Sequence, residues 1–344
     1  MNASAQADLL GVRPWPLRTG ILTAIGQTPI VRLENIFPDN RFHLYAKLEM
    51  LNPGGSIKDR AALEMILDGC AQGKIGPHTT IIESSSGNLG IGLAQVCLFL
   101  NLRFICVVDT RSTNTNIAIL KAFGAEVEVV EECGTGDLLA ARINRVHHLR
   151  DTIADSYWVN QYANVANPLA HYTTMREIDE SLNGQLDYLF VATSTCGTLR
   201  GCREYVWEHG LKAKVIAVDA VGSVIFGQQP GARLIPGHGS SRVPELFRPG
   251  LEDIHLHVND LDCVLGCRRL LHTEAILAGG SSGGVVAAVE KFRDQIPAGA
   301  TCAVVLCDRG ERYLETIYSD DWVREHFGDV THLLDYAPRG TRRG

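Results

Sequence analysis

Short runs rich in β-branched and aromatic residues recur along the chain: TTIIE, RFICVV, AEVEVV, YLFVAT, KVIAVD, IHLHV and TCAVVLC, with periodic stretches of helix length between them. Such alternation predicts mostly parallel sheets covered by helices on both faces, and 344 residues are enough for two of them. Ligands in sheets of this kind gather at the carboxyl ends of strands, where loops feed helix N-termini. Those junctions are where Gly and Ser concentrate here. No internal repeat or low-complexity segment interrupts the pattern. The tail after about residue 330, ending RGTRRG, lacks apolar periodicity and is expected to be mobile.

Composition narrows the function classes. The chain is 45% hydrophobic and 21% charged, an ordinary globular balance. Lys+Arg 32 against Asp+Glu 39 leaves a net charge of -7, so no basic surplus serves a nucleic acid or an anionic membrane. The N-terminus has no apolar core of signal-peptide length, and apolar runs such as residues 91–100 are too short to span a bilayer, which places the protein in the cytoplasm. Ten cysteines without a Cys-x-x-Cys pair, Cys97, Cys106, Cys302 and Cys307 among them in apolar runs, read as buried free thiols. His147-His148 and His255/His257 lack companion ligands, and no metal is expected.

Four junctions carry candidate chemistry. In NPGGSIKDR, residues 52–60, turn chemistry precedes Ser56, a good N-cap, and Ala61, Ala62, Met65, Ile66 and Gly69 suit one helix face. Lys58 then falls in the first helical turn, whose exposed N–H groups disfavour a cation and push a lysine toward its neutral, nucleophilic form. The bland alternative is a solvated lysine paired with Asp59. A Walker loop is excluded, because Asp follows Lys. Glu83-Ser84-Ser85-Ser86-Gly87-Asn88, between TTIIE and a helical run, converges donors that suit a carboxylate, or else is a capped turn. Ser194-Thr195-Cys196-Gly197-Thr198 suits a phosphate, or again a cap. Gly279-Gly280-Ser281-Ser282-Gly283-Gly284 reads as a tight loop before a helix rather than a linker.

Together with Gly26-Gln27-Thr28-Pro29, Asn160-Gln161-Tyr162-Ala163-Asn164 and Gly310-Glu311-Arg312-Tyr313, these motifs make the chain resemble the cysteine synthase and cystathionine β-synthase family of fold-type-II pyridoxal-phosphate enzymes over nearly its whole length. The resemblance implies an α/β fold like that of the tryptophan synthase β chain, with two domains, each a mostly parallel twisted sheet flanked by helices. Residues 12–56 and 164–330 would form the larger domain, 57–163 a smaller mobile one, and 1–11 and 331–344 tails. It implies pyridoxal 5'-phosphate as cofactor and a homodimer. Lys58 would be the Schiff-base lysine, Asn88 would bond the cofactor's phenolic oxygen, Ser194, Thr195, Cys196, Gly197 and Thr198 would hold its phosphate, and Ser281 would face the pyridine nitrogen. Ser85, Ser86, Gly87 and Gln161 would clasp the substrate carboxylate. A neutral hydroxyl at the ring nitrogen makes a modest electron sink and favours β-elimination followed by addition at Cβ, a β-replacement.

Departures from the common family pattern bear on substrate. Leu89 stands where cysteine synthases usually carry Thr, Cys196 where they carry glycine, and Gly239-Ser240-Ser241-Arg242-Val243-Pro244 where they carry Gly-aromatic. An extra arginine suits a phosphoryl leaving group or a dicarboxylate nucleophile, unless it points to solvent. SYWVNQYAN, GSVIFG, SRVPE and DRGERYL look like family members that join O-phospho-L-serine to L-glutamate for siderophore precursors. That resemblance makes Tyr162 and Arg242 substrate-binding candidates. A cysteine synthase using sulfide, and a silent cofactor-binding scaffold, are the alternatives.

Overall fold

Each of the seven runs from TTIIE to TCAVVLC becomes a strand, whereas the apolar run at residues 91–100 is helical as far as Phe99. In chain order the elements are β1 (Ile30–Arg32), β2 (His43–Leu48), α1 (Lys58–Ala71), β3 (Thr80–Ser84), α2 (Asn88–Phe99), β4 (Phe104–Asp109), α3 (Asn114–Ala122), β5 (Glu126–Val130), α4 (Leu138–Thr152), β6 (Ser156–Trp158), α5 (Ala166–Ser181), β7 (Tyr188–Ala192), α6 (Gly197–Glu208), β8 (Lys214–Ala220), β9 (Ile254–Val258), α7 (Asp260–Glu274), α8 (Gly280–Phe292), β10 (Thr301–Leu306) and α9 (Asp320–Phe327). The computed structural model describes residues 18–37, 41–85, 87–110, 112–131 and 138–333, so the expected tail 1–11 and all of 334–344 lie outside the described residues.

The strands form two sheets. One has six strands in the order β1-β2-β10-β7-β8-β9, the other four in the order β5-β4-β3-β6. All pairings are parallel except β1 with β2. Alternation along the central strands sends successive side chains to opposite cores. In the larger sheet Phe190, Ile216 and Val304 meet Val264 of α7 and Val285 and Val289 of α8, whereas Leu189, Val191, Val215 and Ala303 meet Met175 and Ile178 of α5 and Leu199 of α6. In the smaller sheet Ile81, Phe104 and Cys106 pack on Ala61, Met65 and Ile66 of α1 and on Ile91 and Leu93 of α2, while Ile82, Ile105 and Val107 face Val146 and Leu149 of α4. No helix among the described residues is long and apolar enough to cross a membrane.

Two helix pairs approach closely because glycine leaves room. A Cβ on Gly201 of α6 would stand 2.1 Å from the Pro168 carbonyl of α5, and one on Gly266 of α7 the same distance from the Gly283 carbonyl of α8. This explains a departure from the sequence reading. The glycine- and serine-rich stretch is not a loop before α8 but its first turns, buried from Gly280 to Gly284.

β2 and β10 run in register to their carboxyl ends, Leu48 beside Leu306, which brings the segments that follow them together. There the Ile57 N–H donates to the Cys307 carbonyl at 2.8 Å, and Ser56 and Asp308 form an isolated bridge. The stretches before α2 and α6 leave the carboxyl ends of β3 and β7.

Candidate active site

Lys58 is the first residue of α1 and is partly buried. The assigned N-cap is Ile57 rather than Ser56, yet the Ser56 hydroxyl still accepts the Lys58 backbone N–H at 3.2 Å. Pairing with Asp59 does not occur. Asp59 is fully buried and turned the other way, where its Oδ2 accepts the Gly54 N–H at 2.5 Å and pins the glycine turn. The Lys58 amine forms no ion pair among the described residues. Burial lowers its pKa, opposed by negative charge that Cys307, Cys196 and Asp308 would supply. Burial also pushes the Cys307 and Cys196 thiols up to about 12, so both stay neutral. A desolvated lysine amine between two thiols and one acid is a nucleophile and a proton acceptor rather than a fixed charge.

Two residues on from Lys58, Arg60 anchors this turn from below. Its guanidinium donates to both oxygens of Glu49, at 2.7 and 2.8 Å, and to both of Glu177, at 2.7 and 2.6 Å. Lys47 bonds Glu177 at 2.7 Å, Thr28 and Asn52 bond Glu49, and Asn52 also accepts the Gly26 N–H. Two cations and two carboxylates thus tie the segment from Gly26 to Thr28, β2, the Asn52 turn, α1 and α5 into one buried network.

At the carboxyl end of β3, Ser85 is buried and its hydroxyl accepts the Gly90 N–H at 3.1 Å, leaving the O–H free to donate. Gly87 is open on its Cβ side, and Ser86 lies outside the described residues. Glu83 underlies this turn, its Oε1 accepting the Ser84 N–H at 2.9 Å. Burial raises its pKa to about 7, against the pull of the Ser84 N–H. The Asn167 amide ties buried Gln161 to the start of α6, its Nδ2 donating to the Gln161 carbonyl at 2.8 Å and to Thr195 Oγ1 at 3.3 Å.

Thr195, Cys196, Gly197 and Thr198 are buried at the start of α6, with Ser194 half-buried before them. Cys196 adopts φ 64°, the left-handed region that favours glycine, which is why glycine is the usual residue there. A Cβ on Gly197 would stand 2.1 Å from Asn167 Oδ1. Ser281 lies in the first turn of α8, and its neighbour Ser282 accepts the Cys307 N–H at 2.9 Å.

Asn88 opens α2, and its Nδ2 donates to Asp308 Oδ2 at 2.8 Å while Arg312 donates to its Oδ1. The remaining two candidates meet each other: the Arg242 guanidinium lies 4.8 Å from the centroid of the Tyr162 ring. Their loop is held at both ends, the Gly239 N–H donating to the Thr193 carbonyl at 2.8 Å and the Leu246 N–H to the Tyr162 carbonyl at 3.2 Å. Arg242 is exposed but stacked. Asp308, Arg312, Glu83, Asn167 and the Arg60 network had no role assigned from sequence. Two surface cavities of about 500 Å³ lie elsewhere, one lined by Asp187, Lys212 and Thr301, the other by Lys74, Arg150 and Trp158.

The chain's relatives agree with this chemistry. Residues 21–308 match the family model described as pyridoxal-phosphate dependent enzyme, and the chain belongs to that family. Among solved structures, the O-acetylserine dependent cystathionine beta-synthase from Helicobacter pylori is 33% identical, with a TM-score of 0.82 over 88% of this chain and 99% of that one. An O-ureido-L-serine synthase is 31% identical, TM-score 0.82, over 89% and 98%. A cysteine synthase from Entamoeba histolytica is 30% identical, TM-score 0.83, over 89% and 92%. The chain is a pyridoxal-phosphate dependent β-replacement enzyme of the cysteine synthase family, with the α/β fold of those enzymes.

The described residues suit that cofactor. They offer an amine without an ion-pair partner, a buried helix N-terminus carrying two threonine hydroxyls, and two buried oxygens, Asp308 Oδ1 and Asn167 Oδ1, with no hydrogen-bond partner.

Proposed function

We propose that this enzyme condenses O-phospho-L-serine with L-glutamate, releasing phosphate and forming N-(2-amino-2-carboxyethyl)-L-glutamate, a siderophore precursor. The observation that carries the reading is the contact between Arg242 and Tyr162, which sets a guanidinium beside the Gln161 turn. A guanidinium there is superfluous for sulfide but matches a phosphoryl group or the second carboxylate of glutamate.

Bound pyridoxal 5'-phosphate supplies an aldehyde for amines and an electron sink for the carbon that loses its proton. Lys58 would hold it, Ser194 to Thr198 would receive its phosphate at the α6 N-terminus, Ser281 would face its ring nitrogen and Asn88 its phenolic oxygen. Ser85, Ser86, Gly87 and Gln161 bind the substrate carboxylate. The Lys58 amine, whose burial-lowered pKa favours the neutral form, would be available to accept the Cα proton of the bound substrate. Phosphate would leave Cβ, the glutamate amine would add there and lose a proton, and Lys58 would return its proton to Cα. Residues 57–163, built on the four-stranded sheet, form the smaller domain that closes over this step and excludes water. The enzyme works as a cytoplasmic homodimer, which sedimentation tests.

Incubation with O-phosphoserine and either glutamate or sulfide is the deciding experiment. The proposal expects phosphate release coupled to glutamate consumption. Discharge by sulfide with indifference to glutamate would make the enzyme a cysteine synthase instead.

A further inference from the structure

Asp308 is the acid closest in sequence to the end of β10, it is only 2% exposed, and no step above uses it. Its two oxygens are in different circumstances. Oδ2 accepts from Asn88 Nδ2 at 2.8 Å and from the Tyr313 hydroxyl at 2.5 Å, whereas Oδ1 is buried without a partner. The residue itself is fixed. Its backbone bridges Ser56, its carbonyl accepts the Gly279 N–H at 3.0 Å, and a Cβ on Gly279 would lie only 2.0 Å from Oδ1.

These contacts decide how the Asn88 amide can point. Arg312 can only donate, and it meets the amide oxygen, while it also donates to the Gly54 carbonyl at 2.5 Å. The Asp308 oxygen that accepts from Tyr313 meets the amide nitrogen. Turning the amide over would set its N–H groups against a guanidinium and its oxygen against a carboxylate, two mismatches in a partly buried place. Nδ2 carries two hydrogens, and Asp308 takes one. The second remains for an oxygen acceptor in the cleft.

We propose that Asp308 is a positioning residue: with Arg312 it locks the Asn88 carboxamide so that an N–H, and never the carbonyl, faces the phenolic oxygen of the cofactor. The proposal rests on the role given to Asn88 under the proposed function. It makes the acid part of cofactor recognition although it need not touch the cofactor.

The test is a double-mutant cycle read by cofactor affinity, from titration of apo-protein with pyridoxal 5'-phosphate, and by the visible absorption of the bound cofactor. D308A is expected to weaken cofactor binding by about tenfold, the worth of one oriented hydrogen bond, and to shift the absorption band. In an N88A background the same change should alter affinity by less than about twofold, because the group it acts through is gone. D308N, whose carbonyl can still accept from Asn88 and Tyr313, should restore most of the affinity and the original band. An equal loss in both backgrounds, no loss in the native background, or failure of D308N to rescue would each overturn the proposal. If N88A alone left affinity and absorption unchanged, the role of Asn88 itself would fall, and this inference with it. Circular dichroism of the apo-proteins checks folding, and D308S replaces D308A in the cycle, with the same expected outcomes, should D308A not fold.

Discussion

Replacing Arg60 by Met probes the buried network beneath the lysine turn. Arg60 is 5% exposed and Glu49 fully buried, so the change removes a cation that satisfies four carboxylate oxygens while keeping most of its apolar stem. Two negative charges then face Lys47 alone. Breaking a buried pair by deleting one partner costs about 3–5 kcal/mol. Glu49 keeps its bonds from Thr28 and Asn52, and Glu177 keeps Lys47, which places R60M near the lower end, about 3 kcal/mol. Denaturant unfolding of the apo-protein, followed by tryptophan fluorescence, measures the loss without interference from cofactor binding. Acid gives a second reading. Burial alone would raise the Glu177 pKa, but the hydrogen bonds and charge of Arg60, with Lys47, bring it down to about 2. A depressed carboxylate stabilises the fold above its ordinary pKa of 4.5 and loses that contribution as the pH falls toward 2. The gap between native protein and R60M should therefore be widest above about pH 5 and narrow below about pH 4. A loss under about 1 kcal/mol, the scale of a surface ion pair, or a gap that stays constant down to pH 3, would refute the reasoning.

Other substitutions test separate parts of the site. Glu83 has the opposite linkage: burial raises its pKa to about 7, so its stabilising protonated form is complete below the ordinary value of 4.5 and is lost as pH rises through 7. E83Q should make the fall in stability between pH 5 and 7 shallower by about 1 kcal/mol per pH unit, and parallel profiles would contradict this. G197A forces a methyl to within 2.1 Å of Asn167 Oδ1 and should cost about 1–3 kcal/mol together with weakened cofactor binding; unchanged affinity would mean the α6 N-terminus does not hold the phosphate. R242A should raise KM for O-phosphoserine or glutamate by about tenfold while sparing sulfide chemistry, and unchanged kinetics would remove the specificity argument.

The parallel core was legible because its strands are apolar runs bounded by helical periodicity. β1 and β6, three residues each, are too short for a period of two to show, and β1 pairs antiparallel at an edge. Composition misled at Gly280 to Gly284, since glycines that suggest a loop are there to let α7 and α8 touch. Lys58, Asn88 and Ser281 stood out in the sequence through contiguous motifs. The long-range contacts around them did not: Arg60 meets Glu177 across 117 positions, and Asn88 meets Asp308 across 220, pairings that no local spacing announces. An acid at the end of a buried strand was the only available signal for Asp308.

The account stands on the amine of Lys58 carrying the cofactor. Purified protein reduced with borohydride, digested and mapped by mass spectrometry should show a pyridoxyl group on the peptide containing Lys58. The same adduct on another lysine, or none, would contradict it.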